Sequence, residues 1–492
     1  MTTKLVSKCL LICVSTAILG TGCMVGPEYE RPKTAADTND GYFNAGDHIT
    51  DVNDFGDGEM WWQRFGDPVT AELVRRMLEN NYNLKASAAR VVQARAVLSQ
   101  VHSGLRPELN YALNADRTKF SFNFGNFGPL GGGRFSFVNQ NWSHGISVGY
   151  IVDVWGRLKH AEQAALARWL ATEANRQALT NSMIATVIEA RINIATLQKR
   201  LKIAKANTKS RRETLRIVER RYNEGLVGPV DVRLARENLE ASLAQEPAVE
   251  LSLIKAHHAL DVLLGRRPGS SEQLSEALDV LPDLEPVRIG LPAVLLDRRP
   301  DVKAAELMVR AANEDIGVSI AQLYPDLTLL ANYGTTADRW RDIWERFSET
   351  WSAGFGVSQP IFAGGRLRAQ VREAEARHAE LAANYANTVL MAIMEVEDAL
   401  IAEKMLQQEL EHTELRFEEA VAAEGLSQQR YQRGIDSILT VLETERRRRI
   451  AEELLVLLKA QIWTTRVNLH LALGGDWNDQ TTGHPKVEKS DG

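Results

Sequence analysis

Apolar and polar residues alternate with period two in four short segments of the chain. Mostly large side chains occupy every second position in 109–113, 142–150, 327–333 and 351–357, and mostly small or polar residues lie between them. This alternation predicts strands with one apolar and one polar face. Segments of this length with aromatic residues near their ends are typical of strands that face lipid on one side and a wet lumen on the other. A half-buried sheet in a soluble protein would show the same period.

Between and after these strands the pattern changes to that of long helices. Residues 157–221 and 366–430 contain no proline and are rich in strong helix formers such as alanine, leucine and glutamate. A helix of about 64 residues, at about 1.5 Å per residue, is roughly 95 Å long. Such a helix needs neighbouring helices to cover its apolar stripe. Gly225 and Gly434 are predicted to end these helices, and residues 230–264 and 439–473 to return as further helices.

The chain contains an internal duplication. The Arg-Tyr-Asn-Glu-Gly sequence at 221–225 returns as Arg-Tyr-Gln-Arg-Gly at 430–434, which is 209 positions later. Upstream the offset is 218, as between Pro107 and Pro325, so the first copy carries nine extra residues between its proline and Gly156. Because insertions collect in loops, an exposed loop is predicted in that interval.

The N-terminal residues resemble a bacterial lipoprotein signal. Two lysines precede a largely apolar run of 12 residues at 9–20, and small residues lead to Cys23. Cleavage before Cys23 would remove Cys9 and Cys13 and leave one thiol for a covalent lipid. Gly20 departs from the usual large apolar residue at that place, and an ordinary secretory signal with an incidental cysteine is the alternative.

Composition and charge limit the possible functions of the chain. The 492-residue chain has 58 Lys+Arg against 64 Asp+Glu and a net charge of -6, which argues against a nucleic-acid partner. After residue 23, no apolar stretch reaches the length of a transmembrane helix, so a membrane span would have to be β. Four strands cannot close a barrel, and an open edge in lipid leaves unpaired backbone groups. Three chains would supply 12 strands, the smallest number that leaves an aqueous pore.

The residues that could suggest an enzyme or a binding site have simpler interpretations. His257 and His258 are adjacent on a helix and cannot grip one metal ion as ligands four residues apart can. Glu395 and Asp398 are expected on a solvated or subunit-packing face rather than as an acid/base pair. The glycines of 128–133 lack the lysine of a phosphate loop and are interpreted as a hairpin tip. The arginines of 446–449 are distributed around a helix, which argues against a dedicated anion-binding patch. No catalytic residue and no cofactor is therefore predicted.

Six motifs of the chain carry a family resemblance. In order along residues 23–477 they are CMVGPEYERP at 23–32, WWQRFGDP at 61–68, RRPD at 298–301, PIFAGGR at 360–366, EVEDAL at 395–400 and GGDW at 474–477. These motifs resemble signatures of TolC-like outer-membrane factors, and more narrowly of the OprM/NodT lipoprotein branch. The resemblance implies a homotrimeric conduit without an energy source of its own. It also implies a periplasmic adaptor protein and an inner-membrane pump, often of the resistance-nodulation-division class, as partners.

Two helical turns are candidates for docking the adaptor. They contain Gly225, Leu226 and Val227 in the first copy and Gly434 and Ile435 in the second. Exposed apolar residues at turns far along the chain from the strands call for a contact partner. The alternative is that these side chains only staple the turns.

A stripe just past the second turn is the candidate gate. Leu439, Glu443 and Arg446 are spaced i, i+4 and i+7, which places them on one helix face. The resemblance implies a lumen constriction built from an apolar, an acidic and an arginine residue in this register, with Glu443 in place of the more usual aspartate. Three copies would form rings of each residue. An exposed pair within one helix, between Glu443 and Arg446 or Arg447, is the alternative.

The sequence therefore predicts an α+β outer-membrane protein with an internal tandem duplication. Each chain is expected to supply four strands to a 12-stranded trimeric β-barrel continued by a long α-helical periplasmic tunnel. The expected function is passive conduction of drugs or other small molecules, and the alternative is a non-conducting structural envelope lipoprotein. The predicted regions are a signal peptide at 1–22, a lipid-linked segment at 23–65, a first repeat at 66–265, a linker at 266–290, a second repeat at 291–477 and a polar tail at 478–492.

Overall fold

A computed structural model describes residues 24–37, 41–46, 61–123, 134–270, 274, 287, 289 and 291–475. Their contacts divide the chain into two compact units, and each predicted repeat contributes residues to both. Within the described ranges, none of the helices combines the length and the apolar character that a membrane crossing requires.

The first unit contains one antiparallel sheet of four strands in the order β1-β2-β3-β4. The strands are β1 (Glu108–Asn123), β2 (Arg134–Val152), β3 (Asp326–Ala337) and β4 (Glu349–Ser358). All four predicted segments of alternating polarity fall within these strands. The predicted loop with its glycine tip at 128–133 lies outside the described residues, although β1 and β2 pair on either side of it.

The register of the sheet aligns the large side chains of all four strands on one face. Tyr111 pairs with Ile146, Ile146 with Tyr333, and Tyr333 with Trp351. Residues directly opposite in an antiparallel pair point to the same side, so these four form one continuous apolar row. The neighbouring row on the other face is polar and consists of Asn110, Ser147, Asn332 and Ser352. The local period of the sequence therefore gives the whole sheet two faces of opposite polarity.

A long helix and a return helix follow each of the two strand hairpins, and their lengths match between the two copies. In chain order the helices are α1 (Pro68–Asn80), α2 (Tyr82–Ser103), α3 (Arg157–Asn223), α4 (Pro229–Leu263), α5 (Pro292–Arg298), α6 (Pro300–Ala321), α7 (Arg366–Gln432) and α8 (Ile438–Ala472). The helices α3 and α7 have 67 residues each, and α4 and α8 have 35 each. The long helices and their return helices therefore form where the sequence predicts them. Pro247 lies inside α4, where it removes one helical hydrogen bond without ending the helix.

The first described residues pack against the start of α3 in the first unit. Val25 donates a backbone hydrogen bond to the carbonyl oxygen of Trp155 at 3.2 Å. Met24 lies so close to Gly156 that a Cβ atom there would be 2.7 Å from the Met24 Cγ atom. Because Gly156 follows shortly after the end of β2, this contact holds residue 24 beside the junction of strand and helix.

The RRPD and EVEDAL motifs lie in the second unit and form ion pairs and hydrogen bonds there. The buried Arg299 guanidinium donates to Asp301 at 2.7 Å and to Glu395 at 2.6 Å. Burial raises the pKa of Asp301, but its hydrogen bond to Arg299 outweighs this and the pKa is lowered. Glu397 accepts backbone hydrogen bonds from Phe43 at 2.6 Å and Asn44 at 3.0 Å. These carboxylates are therefore structural ion-pair and hydrogen-bond partners.

Candidate functional site

The turn after α3 has the geometry of a Schellman motif. Leu226 donates its backbone N–H to the carbonyl oxygen of Arg221 at 2.9 Å, and Gly225 donates to that of Tyr222 at 2.9 Å. This arrangement requires a left-handed residue, and Gly225 has φ of 73°. The turn at 430–435 repeats both bonds at 2.9 Å. The two predicted turns therefore form, and their glycines end the helices as expected.

The apolar residues of the two turns have different environments. Leu226 is 61% exposed and Ile435 is 59% exposed, whereas Val227 packs against a buried cluster at the helix ends. A Schellman motif is usually stapled by an apolar contact to the residue five positions earlier, which here is Arg221 or Arg430. Neither arginine supplies an apolar staple, so Leu226 and Ile435 remain exposed, whereas packing against the cluster explains Val227.

The two turns differ in what their equivalent arginines contact. The Arg221 guanidinium lies 4.5 Å from the centre of the Tyr431 ring and donates to the Tyr431 carbonyl oxygen. Arg430 instead forms two hydrogen bonds with Asp436, at 2.7 and 3.0 Å, and thereby lowers the pKa of that carboxyl group. The residue equivalent to Asp436 in the first copy is Val227. The duplication alone did not predict this difference, although the exchange of valine for aspartate is its visible signal.

The candidate gate residues form one exposed stripe at the start of α8. Leu439 is exposed, and so in part are the side chains of Glu443 and Arg446. Arg446 donates to both carboxylate oxygens of Glu443 at 2.8 Å, and Arg447 donates to one of them at 2.7 Å. Within a single chain, the pair named as the alternative therefore exists. Its existence does not remove a gate, because a ring would use the same exposed face.

These two arginines stabilise the negative charge of Glu443. Hydrogen bonds from Arg446, and then from Arg447, lower the pKa of Glu443 to about 2. Two residues further on, Glu445 is buried and accepts a hydrogen bond from Thr214 at 3.0 Å. Burial raises the pKa of Glu445 above its ordinary value. This part of the helix thus presents the Glu443 carboxylate outward and turns Glu445 inward.

The four consecutive arginines do not form a single basic face, as predicted. Arg446 and Arg447 contact Glu443, whereas Arg448 pairs with Glu424 and, at 2.6 Å, with Glu452. Arg449 donates to Gln245 at 3.2 Å. The run is therefore divided among separate helix faces. Within the described ranges no group of three or more His, Cys, Asp or Glu residues is arranged to hold a metal ion.

The predicted lipid site, Cys23, lies outside the described residues. Its neighbour Met24 is described and lies against Gly156, next to the end of β2.

The chain matches a family model and several relatives over most of its length. The model for outer membrane efflux proteins matches residues 73–266 and 291–475. A pyoverdine export outer membrane protein of Pseudomonas aeruginosa, OpmQ, is 32% identical over 483 residues, which cover 98% of each chain. A toluene efflux pump outer membrane protein of Pseudomonas putida, TtgF, is 29% identical and covers 96% of this chain and 97% of its own.

Solved structures show the same fold. The outer-membrane channel OprN superposes with a TM-score of 0.82 at 29% identity, over 92% of this chain and 99% of OprN. The open state of the MtrE outer membrane channel of Neisseria gonorrhoeae gives a TM-score of 0.78 at 27% identity, over 92% of this chain and 98% of MtrE. The predicted resemblance is thereby confirmed: the chain belongs to the outer membrane efflux protein family and has the fold of TolC-like outer-membrane channels.

Proposed function

We propose that this channel is the outer-membrane subunit of a tripartite export system, in which three copies form one conduit. The observation that carries the proposal is the sheet. Its order leaves β1 and β4 as edges, and one of its faces is apolar across all four strands. An apolar face suits lipid, but open edges in lipid leave backbone groups unpaired at a cost of several kcal/mol each. Pairing β1 of one copy with β4 of the next satisfies both edges.

Three copies are the number that suits conduction. Two copies would give eight strands, whose interior is filled by side chains, whereas three would give 12 strands around a wet lumen. The polar face that contains Asn110, Ser147, Asn332 and Ser352 would then line the pore. The long helices α3 and α7 would continue it as a periplasmic tunnel that ends at the two turns.

The family and the exposed turns support two partners. A periplasmic adaptor protein would dock at Gly225, Leu226, Val227, Gly434 and Ile435, and an inner-membrane pump, of the resistance-nodulation-division type, would supply the energy. The relatives named for pyoverdine and toluene export support small organic molecules as the substrates. The channel itself would be passive, with no catalytic step and no cofactor.

The competing proposal is a structural envelope lipoprotein that spans the periplasm without conducting. It would account for the long helices, but it gives no reason for an apolar sheet face with two open edges. The two proposals differ in whether the assembled copies conduct.

Cysteine cross-linking of the two edges tests the closed ring. Variants combine Ala112→Cys or Asn114→Cys on β1 with Ser352→Cys, Gly354→Cys or Ser358→Cys on β4, all on the polar face. Oxidation in intact cells should produce, for at least one combination, covalent species that end at three chains, because a ring of three leaves no free edge. Each single cysteine variant, as the control, should stop at two chains. A ladder that continues past three chains, or no linkage in any combination, would refute the ring.

The lipid anchor is tested by removing the thiol of Cys23. The Cys23→Ser variant should lose all labelling by radioactive fatty acid and should change its processing. Met24, rather than aspartate, follows the cysteine, and under the family resemblance this favours sorting to the outer membrane. We expect the variant to remain a trimer, because one lipid supplements a much larger barrel. Equal fatty-acid labelling of Cys23→Ser and the parent chain would exclude this cysteine as the anchor.

A further inference from the structure

The first strand hairpin extends beyond the rest of the sheet. The pairing of β2 with β3 ends at Trp142 and Ala337, whereas β1 and β2 remain paired as far as Asn123 and Arg134. Among the described strands, residues 134–141 of β2 therefore pair with β1 alone. At about 3.4 Å per residue, this two-stranded extension is roughly 27 Å long.

The polarity of the two faces inverts in the extension. The face that carries Tyr111 and Ile146 in the sheet carries Arg117, Lys119 and Arg134 in the extension. The other positions on this side of the extension are Ser121, Asn123, Ser136, Val138 and Gln140, so it has three cations and no carboxylate. An outward face of this composition suits water and anionic headgroups rather than hydrocarbon.

The opposite face of the extension is aromatic. Next to the rest of the sheet this face is polar, with Asp116, Thr118, Asn139 and Asn141, and it then carries two cross-strand pairs of phenylalanine. Those pairs are Phe120 with Phe137 and Phe122 with Phe135. The sequence signal is the repeated Phe-Ser-Phe at 120–122 and 135–137, which the prediction of strands from alternating polarity had not included.

These four rings, which we call the phenylalanine patch, touch one another but stay accessible. The centre of the Phe137 ring lies 5.2 Å from that of Phe120, 5.8 Å from that of Phe135 and 6.3 Å from that of Phe122. Cross-strand aromatic pairs stabilise a ribbon, which explains why they face each other. Each ring nevertheless remains between 41% and 57% exposed. A contiguous exposed patch of this kind marks a contact surface.

We infer that the phenylalanine patches of three copies meet at the pore axis and close the outer mouth of the channel. The inference rests on the proposed function, because it takes the polar face as the lumen face. Three-fold symmetry brings the three inward faces together, and the phenylalanine end of this face carries no charge, whereas Arg117, Lys119 and Arg134 on the opposite face would repel their copies. Contact among the patches buries aromatic surface that each copy leaves in water. The second copy of this chain is thus the occupant of the patch.

A pair of adjacent cysteine substitutions tests this closure. Phe135→Cys places a thiol in the patch, and Ser136→Cys, its matched control, places one on the opposite face of the same strand. Upon oxidation of the full-length channel in cells, Phe135→Cys should link up to about two thirds of the chains into dimers, because one pair can form in each trimer. Ser136→Cys should give at least about tenfold less dimer, since strand neighbours point to opposite faces.

The outcomes separate this inference from the proposed function. Selective linkage of Phe135→Cys supports the mouth closure. Equal linkage at both positions, or none at either, in variants that form normal trimers and support export overturns the closure and leaves the proposed function intact. Loss of linkage together with the absence of trimers in the parent chain overturns both. A further outcome is that neither cysteine links and that the double substitution Phe120→Ser with Phe137→Ser lowers export of an aromatic compound. In that case the patch binds the compound, and the proposed closure is wrong.

Discussion

Substituting both charged residues of the candidate gate should open the channel. In Glu443→Ala with Arg446→Ala, we expect the single-channel conductance in planar bilayers to rise on the order of tenfold, because rings of charged and apolar side chains control passage through a constriction. The Glu443 carboxylate has its pKa lowered to about 2 by its arginine partners, so the parent ring stays charged at neutral pH. Cells should also become sensitive to large antibiotics such as vancomycin.

The chain offers a matched control for this variant. Glu213 and Arg216 on α3 form the same exposed i, i+3 pair, with one of its hydrogen bonds at 2.9 Å. If the Glu443–Arg446 pair is only an intrahelical contact, Glu213→Ala with Arg216→Ala should have the same small effect. If the stripe is a gate, only the α8 variant should conduct more. Conductance equal to that of the parent, in α8 variants inserted as trimers, would exclude the gate assignment.

Charging the exposed apolar residues of the turns should abolish export without unfolding the channel. Leu226→Asp combined with Ile435→Asp adds two carboxylates where both side chains are largely exposed, so little folding energy is lost. An apolar contact with the adaptor protein would instead have to bury these charges, which is strongly unfavourable. We expect normal trimer levels and drug resistance reduced to that of cells without the channel. Leu226 is preferred to Gly225 because it avoids a side chain at positive φ.

The matched control for docking is another exposed leucine. Leu415 on α7 is 53% exposed and lies 19 positions before Gly434. Leu415→Asp should leave resistance unchanged. The docking assignment fails if the double variant at the turns also retains full resistance at normal trimer levels. It fails equally if both variants lose export to the same extent.

Most of the fold could be predicted from the sequence because its signals are local. Alternating polarity identified the four strands, and the glycines at 225 and 434 identified the ends of α3 and α7. The extension of β1 and β2 was not predicted. Its phenylalanines lie on the face that is polar in the rest of the sheet, so they interrupt the alternation of polarity. The helix predicted at 230–264 also forms, although Pro247 lies inside it.

For the candidate site, the sequence could predict which residues share a helix face but not what those residues contact. The spacing of Leu439, Glu443 and Arg446 gives one stripe, which α8 confirms as a common exposed face. The contact of Arg221 with Tyr431 on α7 could not be predicted from the duplicated motif, because a partner on another helix depends on how the helices pack. The same is true of Glu445, which differs from Glu443 only in the direction it faces.

The central claim is that three copies close a conducting pore through their strand edges. Its most direct test is the single-channel conductance of trimers that have been covalently closed between β1 and β4, purified and placed in planar bilayers. We expect discrete conductance steps in the covalently linked trimer. The conductance should be low with the parent gate residues and clearly higher with Glu443→Ala and Arg446→Ala. If the covalently linked trimer shows no conductance steps, with the parent gate residues or with the two substitutions, the claim of a conducting pore is wrong and the structural lipoprotein is favoured.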